Sequence, residues 1–249
     1  MKTIIAKDVG IVYKVHHEKH RSLKELLLSS MKRRSVSDDF WALRDLSFEV
    51  EQGDVLGIIG RNGAGKSTLL LVLSGILVPD RGSLELNAKA STLLSIGAGF
   101  RPELSGRDNV FLNGAFLGLT EQDIESRYPD IVRFADIGDF IDVPVKKYSS
   151  GMKARLGFAI AANIEPDILL LDELLGVGDA AFKEKSQKKI RELMTKAKTV
   201  VIVTHDPNFV TEYCTKAIWL DQGKIASVGD PKKVVDAYLE SIQSGKKNS

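Results

Sequence analysis

A glycine-rich loop at residues 60–68 carries the residue types that bind phosphate. Its members are Gly60, Arg61, Asn62, Gly63, Ala64, Gly65, Lys66, Ser67 and Thr68, in the full pattern G-x-x-x-x-G-K-[ST]. Glycines let successive N–H groups point at an anion, and a helix expected to begin near Gly65 adds its positive end. Lys66 offers charge for β- and γ-phosphates, and Ser67 offers a hydroxyl for Mg²⁺. The sequence therefore predicts a phosphate-binding site.

Acidic residues and a histidine could supply the remaining chemistry. Asp172 ends a predicted strand, where it could hold Mg²⁺, and Glu173 could orient and polarise an attacking water. His205 follows another predicted strand and would face the same crevice in a doubly wound sheet. Paired carboxylates are common, however, and a lone histidine is more often structural than catalytic. With the phosphate cradle these groups would suffice for phosphoryl transfer.

The surrounding patterns predict the elements that position these groups. Strands are expected at 3–13, 43–50, 55–59, 83–87, 91–95, 168–172 and 199–204, with a terminal ribbon at 217–220 and 224–228. Helices are expected after the loop, at 109–118, from Thr120, from Ile131, at 180–196 and after Asp230. Alternating buried strands and helices imply a parallel sheet covered on both faces.

A basic insertion interrupts the first predicted hairpin. Between residues 14 and 34, seven lysines and arginines stand against only Glu18 and Glu25. Ser22 and Glu25 have the spacing of a capping box, which predicts a short amphipathic helix. Its leucines could pack on their own domain, or the helix could face a membrane or a partner.

The composition is that of a globular protein. A hydrophobic content of 43% over 249 residues is ample for a packed core. The net charge of +2 gives no general attraction to nucleic acid, so no nucleic-acid partner is expected. Cys214 is the only cysteine, which fits a reducing cytoplasm. No run approaches the roughly 20 apolar residues that span a bilayer, so a membrane role would need a partner.

A signature segment at residues 148–159 distinguishes among phosphate-loop proteins. It begins Tyr148-Ser149-Ser150-Gly151-Met152 and lies between the glycine-rich loop and Asp172. It resembles the signature motif of ATP-binding cassette (ABC) ATPases, usually Leu-Ser-Gly-Gly-Gln. Physically it is a helix N-terminus with a serine hydroxyl and a free glycine N–H, which is an anion site. The resemblance implies that Ser150 and Gly151 meet the γ-phosphate bound by a second copy, so that two ATP molecules are sandwiched in a head-to-tail dimer.

The resemblance covers essentially the whole chain and implies its architecture. The expected fold is α/β, the P-loop NTPase fold of ABC ATPases, with a RecA-like parallel sheet core, an antiparallel β subdomain and an inserted helical subdomain. Residues 1–249 would form a single nucleotide-binding domain. Its expected parts are the core with the β subdomain at 1–98 and 164–229, the basic helical insertion at 14–40, the helical subdomain at 99–163, and a C-terminal helix and tail at 230–249.

The resemblance also implies catalytic and metal-binding roles. Lys66, Glu173 and His205 are the expected catalytic residues, with His205 matching the switch histidine that contacts the γ-phosphate. Ser67 and Asp172 are expected to hold Mg²⁺, and the whole glycine-rich loop to hold ATP.

Two further positions follow from the family pattern, and one departs from it. Asp179 matches the D-loop aspartate beside the nucleotide. Tyr13 is the expected adenine-stacking residue, with Phe40 and Trp41 as rivals. Where most ABC ATPases carry a Q-loop glutamine, this chain has the run at 94–109, in which Ser95 is the nearest polar candidate.

Four features together look like the ATPase subunits of polysaccharide exporters. They are the run Gly-Ala-Gly-Phe-x-Pro-Glu-Leu-Ser-Gly-Arg-Asp-Asn at 97–109, the Tyr-Ser-Ser-Gly-Met signature, the Val-Gly-Asp D-loop and the basic insertion. The resemblance implies an ATPase on the cytoplasmic face of the inner or plasma membrane. With an integral membrane permease it would export a lipid-linked glycan, such as O-antigen, capsule or teichoic acid. The alternatives are a soluble non-transport ABC ATPase and an exporter ATPase with a different substrate.

Overall fold

The computed structural model describes residues 1–15, 38–88, 91–93, 99–163, 166–172 and 179–247. The strands within these ranges are β1 (Lys2–Val15), β2 (Asp38–Glu51), β3 (Val55–Ile59), β4 (Arg81–Leu86), β5 (Ser91–Leu93), β6 (Ile168–Asp172), β7 (Thr199–Val203), β8 (Lys216–Asp221) and β9 (Lys224–Gly229). The α-helices are α1 (Lys66–Leu73), α2 (Gly106–Phe116), α3 (Glu121–Ala135), α4 (Ser150–Ala162), α5 (Ala180–Lys196), α6 (Pro207–Tyr213) and α7 (Pro231–Lys247). Two 3-10 helices lie at Gly138–Asp142 and Val145–Lys147.

The main sheet has six strands in the order β5-β6-β7-β3-β8-β9. Its strands pair in parallel except for β9, which is antiparallel to β8. The central strands β3 and β7 are almost wholly buried, as a parallel sheet covered by helices requires. Because parallel strands end at the same edge, the glycine-rich loop after β3 and Asp172 at the end of β6 face one crevice.

A second sheet is antiparallel, with the order β2-β1-β4. Its hairpin is longer than predicted, since β1 continues to Val15 and β2 already begins at Asp38. Tyr13 and Phe40 are cross-strand partners in this extension, and such aromatic pairs stabilise antiparallel strands. Residues 16–37 of the basic insertion, including its expected helix, lie outside the described residues.

The helices between β5 and β6 form a layer with its own apolar core. Separate helices were expected from Thr120 and from Ile131, and this division was wrong. One continuous helix, α3, runs through Pro129. A proline inside a helix removes one backbone donor and crowds the carbonyl four residues earlier, but buried Ile124 and Ile131 pack into one cluster on either side of it. Packing therefore overrides the local helix-breaking signal.

Capping side chains set where two of these helices begin. Thr120 and Asp123 form the expected capping box at the start of α3, with Asp123 N donating to Thr120 Oγ1 at 3.2 Å. Ser105 and Asp108 form a second box. That second box makes α2 begin at Gly106, three residues before the predicted start.

Three apolar cores cover the two faces of the main sheet. One face packs against the three-stranded sheet and α1, with a core that includes Leu46, Leu56 and Leu70. On the other face, Phe158 of α4 and Phe182 of α5 pack against β6 and β7, and α7 packs against β3 and β8. The carboxyl edge that carries the loop and Asp172 is thus held from both sides.

Candidate functional site

The glycine-rich loop turns directly from β3 into α1. Gly65 is the N-cap of α1, with φ 101° and ψ 6°, and a Cβ there would lie 2.6 Å from the carbonyl oxygen of Ala42. Both the left-handed backbone and this close approach require glycine. Among the described residues no side chain caps α1. The first N–H groups of the helix, and its positive end, therefore remain for an anion.

Neighbouring backbone groups hold the loop in shape. Ala64 N donates to the carbonyl of Arg61 at 3.1 Å, and Gly223 N donates to the carbonyl of Ala64 at 3.0 Å. The carbonyls of Gly60 and Arg61 accept from Lys66 Nζ at 2.8 and 3.1 Å. The ammonium group of Lys66 therefore lies inside the curve of the loop, where phosphates would sit.

Lys66 and Asp172 are half-buried and close enough to influence each other. Burial lowers the pKa of Lys66, and the charge of Asp172 offsets only part of that shift. Burial likewise raises the pKa of Asp172, against the opposing influence of Lys66. Each charge is costly to hold in this partly dry crevice. A ligand that brings both phosphate and a cation would relieve both costs.

A pocket of about 350 Å³ opens beside the loop. One wall is loop and helix, made of Asn62, Gly63, Gly65, Lys66, Ser67 and Thr68. The other wall is the β1–β2 hairpin, which contributes Tyr13, Phe40 and Ala42. Tyr13 and Phe40 are 44% and 56% exposed, so they are available to a ligand. Backbone N–H groups at one end and aromatic rings at the other suit a nucleotide.

Trp41 lies on the other face of the hairpin. Successive side chains along a strand point to opposite faces, so Phe40, which pairs with Tyr13, and Trp41 lie on opposite faces. The guanidinium of Arg81 lies 4.8 Å from the centroid of the Trp41 ring, and a Cβ on Gly10 would come within 2.9 Å of that ring. Of the three aromatic candidates, the structure places Tyr13 and Phe40 in the pocket wall.

The signature segment begins α4 on a different surface. Ser149 is the N-cap and accepts a hydrogen bond from Met152 N at 3.2 Å, while Ser150 is the first helical residue and is exposed. The hydroxyl of buried Tyr148 donates a hydrogen bond to the carbonyl of Phe140, which stabilises this turn. Ser150 and Gly151 are not in the wall of the pocket beside the glycine-rich loop of the same chain.

Ser149 is an additional candidate that the sequence prediction did not include. Matching residues 148–152 to Leu-Ser-Gly-Gly-Gln puts Ser149 at the serine of the motif and Ser150 at its first glycine. This alignment with the motif identifies Ser149 from the sequence alone. Both hydroxyls stand at the N-terminus of α4, where an anion would be favoured.

His205 leaves the sheet beside the strand that leads into the loop. It follows buried Thr204, whose N–H donates to the carbonyl of Ile58 in β3 at 3.2 Å. Asp179 is placed differently, as the N-cap of α5, with Oδ1 accepting from Phe182 N at 3.0 Å. Glu173 and Ser95 lie outside the described residues, and the role of Glu173 stays a prediction.

Ser67 and Asp172 offer oxygen ligands to a hard cation. In the described part of the chain, no group of three or more His, Cys, Asp and Glu side chains gathers at one place to hold a metal ion. Mg²⁺ suits this sparse set, because it keeps several waters and usually binds one or two carboxylates together with substrate phosphates. The raised pKa of Asp172 fits as well, since a cation would offset the cost of its charge.

Comparison with known sequences gives a consistent set of relatives. The profile of the family described as ABC transporter matches residues 43–176. An O-antigen export system ATP-binding protein, RfbB of Myxococcus xanthus, is 42% identical over 97% of this chain and 56% of its own length. A teichoic acids export ATP-binding protein, TagH of Lactococcus lactis, is 44% identical over 90% of this chain and 47% of its own. The chain spans about half the length of these two relatives.

A shorter relative matches along nearly its whole length. It is an O-antigen export system ATP-binding protein, RfbB, of Klebsiella pneumoniae, 36% identical over 92% of this chain and 94% of its own.

Solved structures show the same fold at low sequence identity. One is described as the dimeric post-hydrolysis state of the ATP-binding cassette MJ0796 bound to ADP and Pi. It has a TM-score of 0.67 and 21% identity, over 92% of this chain and 98% of its own. Another, an ATP-binding subunit of an ABC transporter, has a TM-score of 0.69 and 21% identity, over 95% and 93%. The predicted α/β fold class is confirmed.

Proposed function

We propose that this chain, which belongs to the ABC transporter family, is the ATP-hydrolysing subunit of a transporter that exports a lipid-linked polysaccharide. It acts with a separate integral membrane permease, at the cytoplasmic face of the inner or plasma membrane. The pocket between the glycine-rich loop and the rings of Tyr13 and Phe40 carries the proposal for ATP. The export systems named for its relatives support O-antigen or teichoic acid as the cargo class.

Each wall of the pocket holds one part of ATP. The N–H groups of the loop and of the first turn of α1 bind the phosphates. Lys66 exchanges the carbonyls of Gly60 and Arg61 for the β- and γ-phosphates, which are stronger, charge-assisted partners. Adenine lies against the rings of Tyr13 and Phe40.

Tyr13→Ala and Phe40→Ala are each expected to weaken ATP binding by about fivefold to a hundredfold, because a base stacked on an aromatic ring gains ~1–3 kcal/mol. The measurement is the Kd of a fluorescent ATP analogue. Trp41→Ala is the matched control, since its ring packs near Arg81 outside the pocket. It should lower the melting temperature and leave the Kd unchanged. A larger loss of affinity in Trp41→Ala than in the other two variants would instead assign adenine to Trp41.

Ser67 and Asp172 hold Mg²⁺, which when bound neutralises charge on the phosphates. Asp172 holds the cation from the end of β6, across the crevice from the loop. Ser67 is one of the pocket-lining residues, directly after Lys66. Burial of the charged Asp172 carboxylate is unfavourable, and a bound cation would offset that cost.

Without nucleotide, Asp172→Asn is expected to be at least as stable as the wild type. Burial raises the folded-state pKa of Asp172, so folding favours its protonated form. Its contribution to stability is therefore fully present below the unfolded-state pKa and is lost as the pH rises through the raised pKa. At neutral pH the asparagine avoids that loss.

The measurement is the melting temperature of both proteins between pH 3 and 8, with and without MgATP. The wild type should gain stability from MgATP, and Asp172→Asn should gain much less. An equal gain in the two proteins would remove Asp172 from the metal site.

Hydrolysis uses groups from two copies of the chain. In one copy, Glu173 positions the attacking water and His205 contacts the γ-phosphate. In the other, Ser150 and Gly151, with Ser149, approach the same γ-phosphate from the opposite side. Their position outside the pocket of their own chain supports this head-to-tail arrangement, as does the dimeric state described for one solved cassette.

Export requires a partner that crosses the membrane. Across the described ranges, no helix is long and apolar enough to span a bilayer. The basic insertion at 14–40 is the expected contact with the permease or with lipid head groups. That role is a prediction, since most of the insertion lies outside the described residues.

The function is tested on the full-length protein, co-purified with its membrane subunit and reconstituted in lipid nanodiscs. Phosphate release is measured with lipid-linked O-antigen, capsule and teichoic acid precursors added one at a time. At least one precursor is expected to raise the rate above the basal rate. The same complex with Lys66→Ala is the control and should respond to none.

Other outcomes would support the alternatives. Stimulation only by a lipid without a glycan would indicate an exporter ATPase with a different substrate. Hydrolysis by a chain that joins no membrane subunit would indicate a soluble non-transport ABC ATPase.

A further inference from the structure

Arg155 joins three helices at one guanidinium group. It lies on α4 about one and a half turns after Ser150, and its side chain is only 20% exposed. Nη1 donates to the carbonyl of Asp136, which ends α3, at 2.9 Å. Nη2 binds Oδ2 of Asp179, which begins α5, at 3.1 Å. The guanidinium also stands 5.0 Å from the ring centroid of Phe182.

The partners of Arg155 are themselves fixed. Asp179 uses its other oxygen, Oδ1, to cap α5 by accepting from Phe182 N. That backbone hydrogen bond, and next the charge of Arg155, lower the pKa of Asp179. Asp136 is the left-handed C-cap of α3, with φ 51° and ψ 52°. Arg155 therefore bridges two helix ends whose geometry is already set.

A second cation reinforces the same junction from α5. Lys185 Nζ donates to the carbonyl of Phe134 at 3.0 Å and lies 4.4 Å from its ring centroid. The C-terminus of α3 thus receives Arg155 from α4 and Lys185 from α5, as its negative dipole end favours. The helical layer is joined to α5 at this point by polar contacts as well as by apolar packing.

We propose that Arg155 is a positioning residue for the signature segment: it fixes the first turn of α4, with Ser149 and Ser150, relative to Asp179 at the start of α5. The inference rests on the proposed function, in which that turn meets the nucleotide of a second copy. A displacement of about 1 Å in a catalytic arrangement can lower the rate by about 10²-fold. The carboxylates that Arg155 binds are largely exposed, so the ion pairs add little stability, and their main effect is on orientation.

Arg155→Ala and Asp179→Asn are therefore each expected to lower kcat by about tenfold, within the range of couplings in a shared charged network. Asparagine is as good an N-cap as aspartate, so Asp179→Asn preserves the start of α5 and removes only the charged partner of Arg155. Neither residue lines the ATP pocket of its own chain, so the Kd of a non-hydrolysable ATP analogue, measured on the dilute monomer, should stay at the wild-type value. The double variant should be no slower than the slower single variant, because both changes remove the same bond.

Arg133→Ala is the matched control, because its ion pair with Asp130 lies on the exposed face of α3. It should leave kcat unchanged. Wild-type kcat in Asp179→Asn would overturn the inference. Effects that multiply in the double variant would overturn it too, since Asp179 and Arg155 would then act independently. A wild-type protein that does not hydrolyse ATP would overturn the proposed function itself.

Discussion

Lys66→Ala is expected to lose nucleotide binding, with the Kd for ATP raised by at least about a hundredfold, the scale on which removal of one charged donor to a phosphate acts. Lys66 Nζ already lies inside the loop, on the carbonyls of Gly60 and Arg61. Lys66 is half-buried there, and burial lowers its pKa. Its charged ammonium group is therefore strongly stabilised when a phosphate replaces a carbonyl as its partner. The measurement is the Kd by titration with a fluorescent ATP analogue.

Lys224→Ala is the control, because that lysine is exposed at the start of β9. Its Kd should match the wild type. The fold of Lys66→Ala should also persist, since the shape of the loop depends on Gly65 and on backbone hydrogen bonds. Unchanged ATP affinity in Lys66→Ala would contradict the phosphate-binding role of the loop.

Glu173→Gln is expected to lower turnover by about 10²–10⁴-fold, the usual contribution of a group that positions and deprotonates a nucleophile. Glutamine keeps the size and the hydrogen-bonding reach of the side chain and loses its negative charge. ATP binding should therefore persist while hydrolysis stops. The ATP-bound dimer should accumulate, because hydrolysis no longer separates the two copies.

Two measurements separate this result from a loss of folding. Single-turnover phosphate release should be slow, and size-exclusion chromatography with MgATP should show a dimer. Adding Lys66→Ala to Glu173→Gln should abolish that dimer, because the loop then fails to hold the nucleotide between the copies. Turnover near the wild-type rate in Glu173→Gln would remove Glu173 from the catalytic group.

The glycine-rich loop could be predicted from sequence because its physics is local. Gly65 and Lys66 act within one helical turn, and the strand and helix that flank them have clear apolar patterns. The capping box of Thr120 and Asp123 was predictable for the same reason. These features need no information about distant parts of the chain.

The aromatic wall was predictable only in part. The sequence favours Tyr13, and the strand period of two places Phe40 and Trp41 on opposite faces. Which of those faces reaches the loop depends on the pairing of β1 with β2, and on Ala42, whose carbonyl lies against Gly65. The sequence does not contain that contact in any local pattern.

The helical layer depends even more on contacts between distant residues. Arg155 binds Asp136 and Asp179, which are 19 and 24 residues away. The continuation of α3 through Pro129 similarly follows from the packing of Ile124 and Ile131, against the local preference of proline. Such features are decided by tertiary structure.

We expect each ATP to be hydrolysed between two copies of this chain. This is tested by the rate of phosphate release per molecule of the protein, measured with saturating MgATP over a wide range of protein concentrations. The rate per molecule should rise with concentration and level off once the dimer forms. A constant rate per molecule, from a protein that stays monomeric throughout, would show that one copy hydrolyses ATP by itself.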